Sequence, residues 1–303
     1  MFFHIEHTTE YVYSEPATES FSEMRLRPRD SLRQKVSHHS TFTQPPVVAE
    51  SYIDYFGNWV ETISIPFRHT SLVVRSVCDV ETETLMDALS GLDLTISEAR
   101  HLYFPMRREL FDFLEPSFFI QFAPEVAELS RELLAPQASF TESIKALNNY
   151  IFTNFRYESG VTDAQTTVAD FFEHKKGVCQ DFAHLMISIC RFAGIPARYV
   201  SGYIESDVAS PGESGHVDPA LIGNAASHAW VEVFSPNGYW VGLDPTNNIF
   251  EGERHVQIGI GRDYHDVPPL QGVFKGRKQQ RLNVQVRVMR TQVTPEQSSP
   301  ALG

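Results

Sequence analysis

The sequence predicts an α+β fold in which an N-terminal antiparallel β-sandwich precedes an α+β domain. Three observations favour it. Short runs of β-branched and aromatic residues, separated by turn formers, fill residues 1–80. A strongly apolar segment at helical spacing begins at Cys179. Two strand-like segments joined by a Pro-Asn-Gly turn span residues 228–244. The 303 residues suit two modest domains with their own cores.

The local patterns divide the chain into three parts. Residues 1–80 form the N-terminal β-sandwich module. Residues 81–140 are rich in helix formers and prolines and predict a helical connector, in which Pro124 suits the first turn of a helix. Residues 141–290 predict a second core domain with C-terminal strands, beginning at a helix that Thr141 could cap.

The helix that begins at Cys179 is the clearest in the sequence. Phe182, Met186 and Cys190 recur at helical spacing and predict one apolar face. Gly194 suits the position just after the helix end, because a left-handed backbone is common there. A polar loop, residues 205–227, leads into His228, and we expect it to wall one side of a cleft.

Composition narrows the class of partner and the compartment. The formal net charge of −13 disfavours nucleic acids and anionic membrane surfaces as partners. Three cysteines, Cys78, Cys179 and Cys190, are too few for a disulfide framework and fit a reducing compartment. No window has the length of a membrane span, and we see no signal peptide at the N-terminus. The expectation is a cytoplasmic protein, with a periplasmic form made from a longer precursor as the alternative, and the sequence carries no signal for an oligomeric state.

Cys179 is the candidate nucleophile. A thiol at a helix N-terminus lies in the positive end of the macrodipole, which favours the thiolate. The Cys179 N–H, free at a helix start, can stabilise an oxyanion. Lys175 and Lys176 could add to the positive field, and Gly177 could adopt an unusual backbone angle that lets substrate approach the sulfur.

His228 and Asp244 complete a candidate triad. His228 opens one strand and Asp244 ends the strand that turns back against it, so both side chains can meet on one face. A carboxylate can then hold one imidazole nitrogen while the other faces the thiol. A helix-borne Cys followed by a His strand and an Asp strand is a papain-like arrangement.

Simpler interpretations of these residues stay open. Cys190 is most simply a small core residue, and Asp244 could merely cap a turn. His174 and His184 flank Cys179, and with Cys179 and His228 they could form a metal cluster. No spacing among them matches a paired-ligand motif, so we predict no metal site.

Several motifs together resemble the bacterial transglutaminase-like proteins. Those of the core lie at residues 177–186 (GVCQDFAHLM), 194–203 (GIPARYVSGY), 227–233 (SHAWVEV), 243–247 (LDPTN) and 261–272 (GRDYHDVPPLQG). Those of the N-terminal module lie at residues 7–13 (HTTEYVY), 25–28 (RLRP) and 54–58 (DYFGN). The resemblance covers most of the chain and weakens over residues 81–140.

The resemblance implies a papain-like, transglutaminase-core α+β domain. It implies that Cys179 is the nucleophile, His228 the base and Asp244 the orienting carboxylate in chemistry on amide bonds through a thioester. Whether water or an amine takes the acyl group stays open. The substrate would be a protein or peptide, with no cofactor.

Animal transglutaminases place a Trp upstream of the Cys, and here no Trp lies between Trp59 and Trp230. Tyr157 is the candidate substitute oxyanion donor, with Gly177 and Gln180 as further supporting candidates. No Asp-x-Asp calcium loop is present, so we expect no calcium requirement.

Four functions compete at this point. The first is a cysteine protease or amidase, and the second is a protein-glutamine acyltransferase. The third is a non-catalytic peptide-binding scaffold, although a scaffold has no need of all three triad residues. An arylamine acetyltransferase-like activity would need an acetyl-CoA site, and no phosphate-binding Gly loop supports one.

Overall fold

The computed structural model describes residues 1–84, 89, 94–162, 166–205, 222, 227–276 and 280–291. The first six strands are β1 (Phe2–Ala17), β2 (Glu19–Met24), β3 (Gln34–Gln44), β4 (Ala49–Ile53), β5 (Trp59–Ile65) and β6 (His69–Thr82). The helices are α1 (Ile96–Tyr103), α2 (Pro124–Leu133), α3 (Phe140–Asn154), α4 (Val168–His174) and α5 (Cys179–Phe192). The remaining strands are β7 (Arg156–Tyr157), β8 (Lys176–Gly177), β9 (Ala197–Ile204), β10 (His228–Phe234), β11 (Trp240–Asp244), β12 (Ile249–Phe250), β13 (His255–Gly261), β14 (Leu270–Lys275) and β15 (Gln280–Thr291).

Two four-stranded antiparallel sheets form the predicted sandwich. Their strand orders are β15-β1-β6-β3 and β14-β2-β5-β4. Side chains alternate along the strands between buried and more exposed positions, as period 2 requires. The inward-facing residues of the two sheets, including Met24, Leu26, Ile63 and Val74, form one apolar cluster. The α+β expectation with an N-terminal sandwich is therefore confirmed.

The sequence did not predict that the late strands β14 and β15 pair with strands of the N-terminal sheets. Phe2 lies opposite Thr291, and Met24 lies opposite Leu270. The domain limits 1–80, 81–140 and 141–290 stay a prediction, but these two late strands complete the N-terminal sheets. Local periodicity predicts that a segment is a strand but does not predict which strand it pairs with, so these two pairings could not be predicted from the sequence pattern.

The connector contains the short helices that the prolines indicated. Helix α2 begins with Pro124, as expected for a residue whose missing N–H costs nothing there. The predicted cap of α3 was wrong, because Ser139 and not Thr141 caps that helix. The Ser139 hydroxyl accepts a hydrogen bond from the Glu142 N–H at 3.5 Å, and Thr141 lies within the first turn.

Helix α5 packs against a five-stranded antiparallel sheet, in the order β12-β11-β10-β9-β13. The prediction of a single apolar face was too narrow. Polar residues such as Asp181, His184, Ser188 and Arg191 are buried along with the apolar ones, so neighbours surround the helix. Gly194 has a φ of 75°, which confirms its role just after the helix end.

A second apolar cluster joins the sandwich to this sheet. Phe3 and Ile5 of β1 pack with Tyr203 of β9 and with Val256 and Ile258 of β13. The sandwich sheet that contains β1 and the five-stranded sheet therefore share this apolar cluster. Within the described ranges, no helix combines the length and apolar character needed to cross a lipid bilayer.

Candidate active site

Cys179 is the first residue of α5, and Asp181 holds the backbone just before it. The Asp181 carboxylate accepts hydrogen bonds from the Val178 N–H and the Thr162 hydroxyl, each at 2.8 Å. The helical hydrogen bonds begin at the Asp181 N–H, which donates to Val178 O at 2.9 Å. The Cys179 N–H precedes them, so it can donate to a substrate oxyanion, and the helix N-terminus favours a thiolate at the same place.

The backbone at Gly177 has no room for a side chain. The expected unusual backbone angle was wrong, since Gly177 is not among the glycines with positive φ. A Cβ at this position would instead lie 2.4 Å from Asp181 Oδ2 and 2.8 Å from the Phe171 ring. Gly177 also pairs with Tyr157 across the short parallel ladder of β8 and β7. The ladder brings Tyr157 to the segment that precedes the thiol.

The hairpin of β10 and β11 brings His228 and Asp244 together. Val231 lies opposite Leu243, and the alternation of side chains then places His228 and Asp244 on the same face. His228 Nε2 donates to Asp244 Oδ2 at 2.8 Å, and neither side chain is exposed. The predicted meeting of these two residues at their strand ends therefore occurs.

His228 also interacts with Cys179. The thiol is among the groups that act electrostatically on the ring, and ring nitrogen Nδ1 has no hydrogen-bond partner within the described residues, so it is free to exchange a proton. Burial alone lowers the pKa of His228, but the charge and hydrogen bond of Asp244, followed by the Cys179 contact, raise it to about 10. His228 is therefore protonated at neutral pH, where an imidazolium stabilises an adjacent thiolate.

Asp244 accepts hydrogen bonds on both oxygens. Asn247 donates its amide to Oδ2 at 2.7 Å, and the N–H groups of Thr246 and Asn247 donate to Oδ1 at 3.0 and 3.2 Å. Burial raises the pKa of Asp244, but the positive charge of His228 and the hydrogen bonds to the carboxylate hold it well below the usual range. Asp244 therefore stays ionised.

Three residues near the triad were missed from the sequence. Asn247 lies within the LDPTN motif, where an amide close to an acid was a usable signal. His255 Nε2 lies 3.4 Å from Asp244 Oδ2, and the Trp230 ring centre lies 6.0 Å from that of His228 and 5.1 Å from that of His255. No sequence signal marked His255, since it opens β13, a strand that the local pattern did not predict.

Three tyrosines interact electrostatically with Cys179. Tyr199 is buried, whereas Tyr157 and Tyr264 are partly buried. Burial, followed by the charge of Cys179, raises the pKa of each hydroxyl, so all three are neutral donors at neutral pH. Whether the Tyr157 hydroxyl donates to an oxyanion stays a prediction. Gln180 is half-buried and makes no side-chain hydrogen bond among the described residues.

The two lysines before Cys179 have other partners. Lys175 Nζ lies 3.6 Å from the centre of the Phe172 ring, and Lys176 pairs with Glu158 at 3.1 Å. Their contribution to the field at the thiol stays a prediction.

The two histidines considered as metal ligands also lie in separate surroundings. His174 is exposed and donates to Asp170 O at 2.6 Å. His184 is buried, stacks on Phe119 and accepts the Tyr264 N–H at 3.2 Å. In the part of the chain that the structure describes, no three His, Cys, Asp or Glu side chains are arranged to hold a metal ion.

Most of the loop expected to wall the cleft, residues 205–227, lies outside the described residues. Ile222 is an exception, because its backbone N–H donates to Asn247 Oδ1 at 2.9 Å and its carbonyl accepts from Asn247 Nδ2 at 3.2 Å. Asn247 therefore links this loop to Asp244.

Comparisons with known proteins identify the family and the fold. The family model of the bacterial transglutaminase-like N-terminal region matches residues 3–81, and that of the transglutaminase-like superfamily core matches residues 127–245. A candidate cysteine protease from Cytophaga hutchinsonii has the same fold, with a TM-score of 0.72, 22% identity, and coverage of 97% of this chain and 93% of that one.

Curated relatives extend the match along the chain. An uncharacterized protein of Mycobacterium leprae is 34% identical over 287 residues, which cover 94% of this chain and 98% of the relative. A protein-glutamine gamma-glutamyltransferase of Pseudomonas aeruginosa is 30% identical over 126 residues, 40% of this chain and 17% of that protein. On the two family models and the near full-length relative, the chain belongs to the transglutaminase-like superfamily.

Proposed function

We propose that the protein is a cysteine-dependent hydrolase, a protease or amidase, that cleaves peptide or carboxamide bonds through a thioester. The observation that carries the proposal is the hydrogen bond from His228 to the buried carboxylate of Asp244, with Nδ1 of the same ring unpaired and Cys179 at the start of α5 acting electrostatically on that ring. This arrangement supplies a nucleophile, an acid–base group and the group that orients it.

In the proposed reaction, the Cys179 proton rests on His228 Nδ1 as a thiolate–imidazolium pair, and the thiolate attacks the carbonyl carbon. The tetrahedral intermediate collapses, the C–N bond breaks, and the amine leaves with the proton from Nδ1. Nδ1 then takes a proton from water, whose oxygen attacks the thioester. The C–S bond breaks, the carboxylic acid is released, and the thiolate–imidazolium pair is restored.

The Cys179 N–H is the first oxyanion donor in this proposal, and Tyr157 is the candidate second donor. Tyr157 pairs with Gly177 two residues before the nucleophile, and burial together with the charge of Cys179 raises the pKa of its hydroxyl, which is therefore a neutral donor. Removing one such donor in other enzymes costs about 3 kcal/mol of transition-state stabilisation.

Acyl transfer to an amine is the second candidate. It is favoured by the similarity of part of the core to the gamma-glutamyltransferase of Pseudomonas aeruginosa. Both reactions share the same thioester, and they differ only in whether water or an amine attacks it.

We also propose a protein or peptide as the substrate and the cytoplasm as the compartment. The three cysteines support the compartment, because all are free in the structure and a reducing environment preserves a free thiol. Fractionation of cells followed by immunoblotting tests this point, and recovery outside the cytoplasm would contradict it.

The reaction is tested with carbobenzoxy-glutaminyl-glycine, with and without a primary amine, on wild type, Cys179→Ala and Cys190→Ala. Cys190 is the matched control, since it is a buried thiol on the same helix. We expect ammonia release by wild type and Cys190→Ala, and a loss of at least ~1000-fold in Cys179→Ala.

The products decide between the candidates. Amine incorporation would make the protein a transferase. Full activity in Cys179→Ala would exclude the thiol mechanism altogether. A short panel of peptide amides and an iodoacetamide probe extend the test, because selective labelling of Cys179 over Cys78 and Cys190 reports an activated thiol without any substrate.

A further inference from the structure

His255 approaches the Asp244 carboxylate as a second histidine. Its Nε2 lies 3.4 Å from Asp244 Oδ2, the same oxygen that accepts the hydrogen bond from His228. The side chain is buried, and its ring packs edge-to-face against Trp230. The reaction as proposed above gives this residue no part.

The backbone defines the tautomer of His255. The Gly252 N–H donates to His255 Nδ1 at 3.2 Å, so Nδ1 acts as an acceptor and carries no proton. The proton of the neutral ring therefore lies on Nε2, the atom that faces Asp244. A second N–H thus points at the carboxylate that orients His228.

The groups that face His255 keep its ring neutral. Burial lowers its pKa, Asp244 on β11 raises it, and the positive charges of His228 on β10 and Arg33 lower it further. The net shift is downward, so the ring is uncharged at neutral pH. A neutral donor can orient the carboxylate without competing with His228 for its charge.

Residues of the sandwich hold the strand that carries His255. Gln34 Oε1 accepts the Gln257 N–H at 2.8 Å, and Gln34 Nε2 donates to Gln257 O at 2.7 Å. Arg33 pairs with the Glu251 carboxylate at 2.8 Å and donates to its backbone carbonyl at 3.1 Å. These contacts lie on both sides of His255 in the sequence.

We propose that His255 is a positioning residue that holds the Asp244 carboxylate against His228 through its Nε2–H, with β13 held by Gln34 and the segment just before it held by Arg33. Its catalytic consequence rests on the proposed function. Without the donor, the Asp244 carboxylate can turn away from His228. The hydrogen bond that stabilises the His228 imidazolium is then weakened, and proton transfer at the thiol slows.

Two variants separate positioning from bulk packing. His255→Asn keeps an acceptor for the Gly252 N–H but places no donor near Asp244, whereas His255→Gln can place an amide N–H where Nε2 lay. His7→Asn is the matched control. His7 is also buried, with hydrogen bonds to Tyr203 at 2.8 Å and Thr9 at 2.9 Å, and it makes no described contact with the triad.

The measurements are kcat, KM and the titration of His228 by NMR on protein with 15N-labelled histidine. We expect His255→Asn to lower kcat by ~10–100-fold at unchanged KM, the range for supporting residues of this kind. The His228 titration should move below its wild-type position. His255→Gln should recover most of both effects, and His7→Asn should leave both unchanged.

The proposal is overturned if His255→Asn retains the wild-type His228 titration, or if Gln restores neither measurement. The titration needs no substrate. If wild type cleaves none of the amides offered, the proposed function fails, while the effect of His255 on His228 is still decided by the titration. If the Asn variant does not fold, the test rests on the Gln variant. That variant is expected to fold and to keep the wild-type His228 titration, and a lowered titration in it would overturn the proposal.

Discussion

The two faces of the five-stranded sheet carry different kinds of side chain. The face toward α5 contributes apolar residues to the main core, among them Ala197, Val231, Val233 and Leu243. The other face carries buried polar residues, His228, Glu232, Asp244 and Gln257, beside a small apolar cluster of Val200, Trp230 and Ile260. One set of strands therefore supports a core and a polar network at once.

The polar face is connected by short hydrogen bonds. Arg198 Nε pairs with Glu232 Oε2 at 2.6 Å. Gln257 Nε2 donates to Glu232 Oε1 at 2.8 Å and to Glu251 Oε1 at 2.9 Å. Apolar contacts are non-directional and tolerate small changes, whereas buried charges depend on each partner being present. The comparison indicates that the apolar face stabilises the fold, and that the polar face fixes the orientation of the buried charged side chains.

The largest expected effect comes from removing a charge on the polar face. Arg198→Met leaves Glu232 buried without its guanidinium partner and close to a second carboxylate, Glu251. We expect a loss of about 3–5 kcal/mol in the free energy of unfolding, the range for broken buried pairs. Urea denaturation monitored by tryptophan fluorescence measures it.

The double variant Arg198→Met/Glu232→Gln sharpens that test. Removing both charges should restore part of the lost stability, because no unpaired charge then remains on that strand pair. A loss below about 1 kcal/mol in Arg198→Met would show that the pair behaves as an exposed one, and the contrast between the two faces would fail.

A second effect should depend on pH. Burial, followed by the charge of Glu232, raises the pKa of Glu251 from 4.5 to about 7. The folded state then holds a proton that the unfolded state releases, so this contribution to stability is complete below pH 4.5 and is lost as pH rises through 7. Relative to Glu251→Gln, wild type should lose up to about 3 kcal/mol between pH 4.5 and 8.

The Gln variant removes the titration and keeps the size of the side chain. Other buried groups act in the opposite sense, since burial lowers the pKa of His7 and His184 to about 4. Only the difference between the two proteins therefore isolates Glu251. A difference that stays constant across this range would contradict a raised pKa at this position.

The smallest effect is expected on the apolar face. Ile189 of α5 is fully buried in the main core. Ile189→Val removes one methylene and should cost about 1 kcal/mol, with kcat unchanged. A thermal melt and a turnover assay check both points. A large loss of activity from this change would mean that the apolar core also sets the geometry of the triad.

The sequence predicted those parts of the site that depend on local pattern. The start of α5 at Cys179 follows from helical periodicity, and the meeting of His228 with Asp244 follows from one hairpin. In both cases the deciding contacts lie within one element or between neighbours. Gly177 was singled out for its type, but its reason, the close approach of Asp181, needed coordinates.

The residues that the sequence missed depend on pairings between distant segments. His255 reaches Asp244 only because β13 pairs with β9, and Arg33 reaches Glu251 only because the sandwich packs beside that sheet. Local propensity carries no information on which strands become neighbours. The polar network therefore could not be inferred from spacing alone.

The pairing of β1 with β15 also has a consequence for biosynthesis. Phe2 pairs with Thr291, so the sheet that packs against β9 and β13 is incomplete until residue 291 has left the ribosome. Helix α5 and the hairpin of His228 emerge earlier. A nascent chain would thus carry the thiol before it acquires the frame that holds it, and that frame closes only when β15 has been made.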